Sequence, residues 1–241
     1  MKKLLFLALL LPCSLLLSAQ DRPDKKLQQK LDELVKGFNG DVGIYVKHLK
    51  SGKTASVNAD TIYPTASMIK VPIMCGVFDQ IEKGNLSYKQ PLIYRDSLLY
   101  EGEDIIGSLK DGEKIALSKV QMLSITTSDN TGSLWLQKLA GGENINAWLE
   151  QNGFEDTRLN SRTPGRQAFQ RKYGWGQTTP REMAALLVKI REGKAISPAA
   201  SERMYRNLIR IYWDDQALSQ IPPYVQVASK SGAVNASRSE V

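Results

Sequence analysis

The chain has 241 residues, of which 42% are hydrophobic and 24% charged, and a formal net charge of +7 at pH 7. This is the balance of an ordinary globular protein, and it excludes a disordered or repetitive chain. The basic residues are scattered and form no nucleic-acid-binding motif, so we predict no nucleic-acid partner.

The segment 1–20 has the pattern of a secretory signal peptide. Two lysines precede an apolar run over residues 4–17, and small residues then lead into a polar stretch. A membrane anchor is the alternative, but the run is shorter than the about 20 residues that a spanning helix needs. We therefore predict export to the periplasm or the medium, no stable membrane insertion after signal removal, and a monomeric catalytic domain over residues 21–241.

The apolar positions predict a helix over residues 27–38, followed by a β-hairpin with strands over residues 42–49 and 54–57. Residues 67–81 are apolar nearly all round, which predicts a helix in the interior, because a surface helix keeps a polar face. Further helical patterns cover residues 118–125, 131–139, 145–152, 180–192 and 198–212.

Two later segments complete the predicted layout. Residues 156–179 are polar and have no clear period, and loops of that length are usually functional. Residues 224–232 have the pattern of a strand. This order predicts an α+β fold in which an antiparallel sheet with flanking helices carries an inserted all-α lobe, with a cleft between the two parts.

Histidine and cysteine are scarce, and this restricts the possible chemistry. His48 is the only histidine and lies in a predicted strand, as an ordinary strand residue. Cys75 is the only cysteine outside the signal segment and lies in an apolar run, which predicts a core residue and no internal disulfide. A Ser-His-Asp triad, a Cys-His pair and a His-rich zinc site are therefore not expected, and no metal or cofactor is implied.

Ser67 and Lys70 lie three residues apart at the start of the predicted interior helix, where positions i and i+3 share one face. The lysine amine can therefore reach the serine hydroxyl, which is a poor nucleophile without a nearby base. Lysine serves as that base only when burial or another cation keeps it neutral. Because such pairs are common by chance, this pair alone is a weak indication.

The sequence Ser128-Asp129-Asn130 separates two helical patterns, as the tip of a loop facing a cleft would. The Ser128 hydroxyl could relay a proton to a leaving nitrogen, and the Asn130 amide could hold the substrate and Lys70 by hydrogen bonds. The alternative is a helix cap, in which Ser128 or Asp129 caps the helix predicted from Thr131.

Lys230, Ser231 and Gly232 lie at the end of the last predicted strand. The lysine could bind a substrate carboxylate, and its charge would favour the neutral form of a lysine base. Gly232 leaves room for a ligand at the strand edge. The backbone N–H of Ala233 could form an oxyanion hole with that of the nucleophile. The alternative is an ordinary strand end at the surface.

The three motifs in this order resemble the signature set of the class A β-lactamases and penicillin-binding proteins. The resemblance extends from about residue 27 to the end of the chain. Residues 157–159 and 178–180 also resemble the flanks of the Ω-shaped loop of class A enzymes. The resemblance implies the β-lactamase/transpeptidase-like fold and a small-molecule β-lactam or a cell-wall peptide as the substrate.

The resemblance also implies a role for each motif residue. Ser67 would be the acylated nucleophile, Lys70 its base and Ser128 the proton shuttle. Lys230 and Ser231 would bind the substrate carboxylate.

The long loop departs from the class A pattern, which has Glu-Pro-x-Leu-Asn with a glutamate that activates the deacylating water. Thr163 and Gln167 stand at the positions of that glutamate and asparagine. A threonine hydroxyl cannot act as a general base near neutral pH. Ser161 and Gly176 stand where the resembling enzymes place the ion pair that ties the loop.

The sequence ends at Val241, just after the Lys-Ser-Gly strand. The resembling family continues with two more strands and a packing helix, on the order of 40 residues at usual element lengths. We therefore expect a truncated sequence, whose first hairpin has no neighbour to join it to the last strand.

These observations predict a serine hydrolase that opens β-lactams through an acyl-enzyme on Ser67, with slow deacylation because Thr163 replaces the glutamate. One alternative is a D-alanyl-D-alanine peptidase or amidase that acts on cell-wall peptides. The other is a penicillin-binding protein that stays acylated without turnover.

Overall fold

The computed structural model describes residues 22–100, 102 and 104–241, so the predicted signal peptide lies outside the described residues. The helices are α1 (Lys25–Val35), α2 (Lys70–Glu82), α3 (Leu117–Thr126), α4 (Asn130–Ala140), α5 (Gly142–Gln151), α6 (Gln167–Tyr173), α7 (Pro180–Arg191) and α8 (Pro198–Leu208). The strands are β1 (Arg22–Pro23), β2 (Ile44–His48), β3 (Lys53–Val57), β4 (Tyr63–Pro64), β5 (Pro91–Ile93), β6 (Lys114–Ala116), β7 (Arg158–Leu159), β8 (Gly176–Thr178), β9 (Ser231–Val234) and β10 (Ser237–Glu240).

The strands form several small sheets. The predicted hairpin is confirmed as the antiparallel pair β2–β3, and β1 adds to β3 in the parallel sense. Strands β9 and β10 form a second antiparallel pair, and short ladders join β4 to β8 to β7 and β5 to β6. Within the described residues no ladder joins the hairpin sheet to the β9–β10 pair, and a groove of about 1410 Å³ lies between them.

The predicted strand over residues 224–232 is wrong in its bounds. The strand β9 begins only at Ser231, and it pairs with β10, which the sequence pattern does not predict. Tyr224 is 87% exposed and Val225 46% exposed, so these residues have no sheet surface to pack against. β-forming residues become a strand only where a partner and a half-buried face exist.

Helix α2 is the centre of the core and confirms the predicted interior helix. Its residues from Lys70 to Gln80 are all buried, and it packs against α4 and α5. At Gly76 an added Cβ would lie 2.4 Å from the Ile145 side chain, so only glycine lets α5 approach this closely. Cys75 is fully buried, as predicted, and its thiol pKa is raised by burial. His48 is an exposed residue of β2, also as predicted.

The remaining predicted helices are confirmed with shifted ends. The largest shift is in α8, which ends at Leu208 rather than at residue 212. The chain then turns back so that the Tyr212 N–H donates to the Thr126 carbonyl at the end of α3, 2.8 Å away. No helix of the described part of the chain has both the length and the apolar character that crossing a bilayer requires.

Candidate active site

Ser67 lies in a 3₁₀ turn, Ala66–Ile69, that leads directly into α2. The sequence predicted an α-helix from Ser67, but the α-helix begins only at Lys70. Ala66, directly before Ser67, has φ +44°, in the left-handed region. Ser67 is partly exposed, whereas the next two residues of the turn, Met68 and Ile69, are buried. The turn therefore presents the hydroxyl-bearing residue at the surface of the core.

Lys70, the first residue of α2, is fully buried. Its amine donates hydrogen bonds to the Ser128 carbonyl, to Ser128 Oγ at 3.0 Å and to Asn130 Oδ1 at 2.7 Å. An ammonium group has three N–H donors, so these acceptors on one loop satisfy the charged form of the amine. The structure thus brings Lys70 together with Ser128 and Asn130.

The pKa of Lys70 is lowered to about 7, chiefly because burial removes the ammonium from water and secondly because Lys230 repels it. Asp104 and Asp129 act in the opposite direction but more weakly. A substantial fraction of the amine is therefore neutral at neutral pH, which a lysine base requires.

The loop between α3 and α4 serves both as a helix cap and as a carrier of polar groups. Asp129 is the N-cap of α4, because its side chain accepts from the Gly132 N–H at 2.7 Å, and it also accepts from the Ile106 N–H at 2.9 Å. Ser128 has φ +60°, a strained conformation for a serine. The capping alternative is therefore correct for Asp129, while its two neighbours bond to Lys70.

Asp104 is a residue of this site that the sequence did not reveal. Its carboxylate accepts from the N–H of Asn130 at 2.9 Å and from the N–H of Thr131 at 2.6 Å. It ties the preceding segment to the start of α4. A lone aspartate in an irregular segment carries no periodic pattern, so no sequence signal could have identified it.

The pair β9–β10 lies against the Ser67 turn. Lys230 is buried just before β9, and its amine donates to the Ser231 carbonyl at 2.7 Å. Burial lowers the Lys230 pKa to about 8, although Glu240 of β10 raises it. Ala233 is exposed on β9, opposite Arg238 of β10.

Gly232 is the point of closest approach between β9 and the Ser67 turn. An added Cβ would lie 2.5 Å from the Thr65 carbonyl oxygen and 3.0 Å from the Ser67 backbone nitrogen. Ser239 of β10 donates from Oγ to the same Thr65 oxygen at 3.0 Å. Two neighbouring strands therefore fix the backbone that leads into Ser67.

The substitution Gly232→Ala is expected to slow acylation of Ser67 at least tenfold, because the new methyl group must push β9 away from the Ser67 backbone. The check is the rate of covalent labelling by a fluorescent penicillin. The control is Gly52→Ala, because nothing lies within 4 Å of a Cβ added at Gly52. Gly52 has φ +70°, so this change also strains the backbone, but it does so without contacting the Ser67 turn. Labelling of Gly232→Ala at the rate of the unmodified protein would contradict this prediction.

The loop over residues 156–179 is closed by backbone pairing and by Arg166 rather than by an ion pair. Strands β7 and β8 pair at its two ends. Arg166 donates to Asn160 Oδ1 at 2.8 and 3.0 Å and to Gln177 Oε1 at 2.9 Å. The loop also contains α6, a helix that the sequence did not predict because none of its residues is buried.

Thr163, which the sequence resemblance aligns with the class A glutamate, uses its hydroxyl inside this loop. Thr163 Oγ1 donates to the Ser161 carbonyl at 3.0 Å. A Cβ added at Gly142 would lie 2.4 Å from Thr163 Oγ1, so the threonine hydroxyl also packs against the start of α5. Gln167 is the first residue of α6.

A metal site would need several acidic, histidine or cysteine side chains close together. Among residues 22–100, 102 and 104–241, no group of three or more His, Cys, Asp or Glu side chains is placed to hold a metal ion.

A family model described as the β-lactamase enzyme family matches residues 26–241. The chain belongs to this family. The family and the fold together confirm the resemblance drawn from the three motifs, and they make the chain a β-lactamase-like serine hydrolase with an α+β fold.

Among β-lactamase-family relatives, the chain is 25% identical to β-lactamase VEB-1 of Pseudomonas aeruginosa over 214 residues, which cover 86% of this chain and 71% of the relative. Similar solved structures include a point mutant of PBP-A, in an acyl-enzyme complex with penicillin G. That structure has a TM-score of 0.79 and 28% identity, and the match covers 88% of this chain and 79% of PBP-A. A β-lactamase from Chitinophaga pinensis matches with a TM-score of 0.77 and 25% identity, over 86% of this chain and 78% of its own.

Proposed function

We propose that this β-lactamase-family enzyme opens β-lactam rings by attack of Ser67 Oγ on the ring carbonyl, forming an acyl-enzyme. The observation that carries the proposal is the environment of Lys70, a fully buried amine with a pKa lowered to about 7 and bonded to Ser128 and Asn130. A buried neutral amine one helical turn from a hydroxyl can take its proton as a general base.

Ser128 is the natural outlet for that proton. Of the three acceptors around the Lys70 amine, the Ser128 carbonyl and Asn130 Oδ1 can only accept, whereas the Ser128 hydroxyl can also donate. When the amine takes the Ser67 proton, it can pass one of its own to Ser128 Oγ, while the Ser128 proton moves to the ring nitrogen. The C–N bond breaks as that nitrogen gains its proton, and the amine returns to its neutral form.

The remaining motif residues fit substrate binding. Asn130 Oδ1 is occupied by Lys70, so its amide NH₂ is the group that remains to donate to a substrate carbonyl. The Lys230 ammonium and the Ser231 hydroxyl would bind the substrate carboxylate. Gly232 lets β9 approach the Ser67 nitrogen, so the N–H groups of Ser67 and Ala233 could stabilise the oxyanion together.

A second candidate function is favoured by the loop. Thr163 offers no carboxylate to activate a deacylating water, and its hydroxyl already bonds within the loop. A penicillin-binding protein that stays acylated, or a D-alanyl-D-alanine peptidase or amidase, uses the same acylation residues. Release of D-alanine from a D-Ala-D-Ala peptide, measured beside nitrocefin hydrolysis, distinguishes the peptidase from the β-lactamase.

The direct test of the proposal is intact-mass spectrometry after mixing with penicillin G, followed by peptide mapping. One penicilloyl group on Ser67 is expected, and no adduct on Ser67→Ala. If the protein keeps its unmodified mass after mixing with penicillin G and also fails to hydrolyse nitrocefin, the proposal is wrong. Export to the periplasm or the medium and a monomeric state stay predictions, which cell fractionation and light scattering would test.

The acylation rate is expected to have a bell-shaped pH profile with its maximum between about pH 7 and pH 8. Lys70 must be neutral, so the rate rises as pH passes upward through its pKa of about 7. Lys230 must be charged to bind a carboxylate, so the rate falls as pH passes through its pKa of about 8. The measurement is the second-order rate constant of penicillin labelling between pH 5.5 and 9.5.

The variant Lys230→Arg is the matched test of the falling limb. Arginine stays charged throughout this range, so the falling limb should move beyond pH 9 while the rising limb stays in place or moves slightly downward. A flat profile for the unmodified protein over the whole range would contradict both assignments.

A further inference from the structure

Trp175 covers the Lys70 amine from the end of the long loop, directly before β8. The Lys70 Nζ lies over the indole ring, 5.9 Å from its centroid. The ring of Tyr100 meets the indole edge-on, with 5.3 Å between centroids and an interplanar angle of 84°. Neither aromatic residue belongs to the three motifs.

The backbone around Trp175 is fixed on both sides. The Trp175 carbonyl accepts from the N–H groups of Asn160 at 2.8 Å and Ser161 at 3.0 Å. The next residue, Gly176, accepts from the Thr65 N–H at 3.0 Å. A Cβ at Gly176 would lie 2.4 Å from Cδ1 of Ile69, so the loop end lies directly against the Ser67 turn. The backbone that carries the indole is therefore fixed by contacts on both sides of Trp175, and Tyr100 packs against the ring itself.

We propose that Trp175 is a positioning residue for Lys70, whose indole ring covers the loop side of the amine and, with Tyr100, keeps bulk water away from it. Away from the ring, the amine donates to the Ser128 carbonyl, Ser128 Oγ and Asn130 Oδ1. The consequence for acylation rests on the function proposed above, but the contact between indole and amine does not.

The ring has two opposite effects on the proton of Lys70. Its bulk excludes water, which favours the neutral amine, and its negative π face attracts the ammonium, which favours the charged amine. Burial is the largest influence on the Lys70 pKa. Because the indole is one of the groups that cover the amine, we expect water exclusion to outweigh the attraction of the ring. The charged groups that face the amine, Lys230, Asp104 and Asp129, are unchanged by a substitution at Trp175.

A substrate-free experiment tests the contact itself. The tryptophan fluorescence of the protein is followed between pH 5.5 and 9, and the Trp175 signal is obtained by subtracting the signal of Trp175→Phe. We expect a transition with its midpoint near pH 7, because the ammonium over the ring loses its charge there. The transition should vanish in Lys70→Met and persist in Trp148→Phe, which alters a tryptophan stacked on Phe154 in the core. A transition that persists in Lys70→Met, or no transition at all, would overturn the proposal.

A second experiment tests the consequence for acylation. In Trp175→Ala water reaches the amine, so the rising limb of the pH profile should move up by about one pH unit, which lowers the rate at pH 7 about fivefold. Trp175→Leu keeps the site dry, so its rising limb should not move upward. A merely structural role would lower the rate equally at every pH. That result, or a Trp175→Ala profile that superimposes on the unmodified one, contradicts the proposal.

The two experiments separate the two proposals. If penicillin does not label the unmodified protein at all, the proposed function fails, while the fluorescence titration still decides whether Trp175 reports the charge of Lys70.

Discussion

Replacing Lys70 with Met is expected to slow penicillin acylation of Ser67 by about 10³-fold, because general bases contribute about 10² to 10⁴. The methionine side chain is of similar length and suits a fully buried site. It has no lone pair basic enough to take the Ser67 proton and no proton to pass to Ser128. The measurement is the rate of adduct formation by rapid-quench mass spectrometry at pH 7.5.

The control for this variant is Lys89→Met, which removes an exposed lysine and should leave the rate unchanged. Circular dichroism and thermal unfolding of both variants show whether the fold is retained. Labelling of Lys70→Met within tenfold of the unmodified rate would mean that another group is the base.

The groups around Lys70 could be predicted from the sequence because only a few residue types can activate a serine hydroxyl for acylation. A hydroxyl nucleophile needs a base. Because the chain has only one histidine, a lysine one helical turn from a serine is the base that the sequence indicates. The structure then places Ser128 and Asn130 on that lysine. Trp175 and Asp104 could not be predicted in the same way. Both residues lie in irregular segments that the fold brings next to Lys70. Such segments have no periodic pattern of apolar residues from which their position could be predicted.

The fold was predictable where burial produces a pattern. Helix α2 was found because it is buried on every side, whereas α6 was missed because none of its residues is buried. Strand β10 has the sequence Ser-Arg-Ser-Glu, without apolar alternation. It forms because β9 pairs with it and because Ser239 bonds to the Thr65 carbonyl. Neither α6 nor β10 presents a buried apolar face, so neither produces a pattern in the sequence.

The second large effect is expected in deacylation. Enzymes typically turn over about 10 times per second, and loss of a general base costs about 10² to 10⁴. Without a carboxylate at position 163, we expect the penicilloyl group to leave Ser67 at about 10⁻² s⁻¹, the middle of the range of about 10⁻¹ to 10⁻³ s⁻¹ that these figures give. After brief exposure to penicillin G and removal of the excess, the adduct should therefore remain visible in intact-mass spectra for minutes.

The variant Thr163→Val is the matched control for that expectation. It removes the hydroxyl that donates to the Ser161 carbonyl, so it should cost about 1 kcal/mol of stability. The lifetime of the adduct should change less than twofold, because this hydroxyl is used within the loop and cannot act as a base. Rapid steady hydrolysis of nitrocefin without a detectable adduct would mean that another group activates the deacylating water. A Thr163→Val adduct that lives tenfold longer would place the threonine hydroxyl in that step, against the geometry of its bond to Ser161.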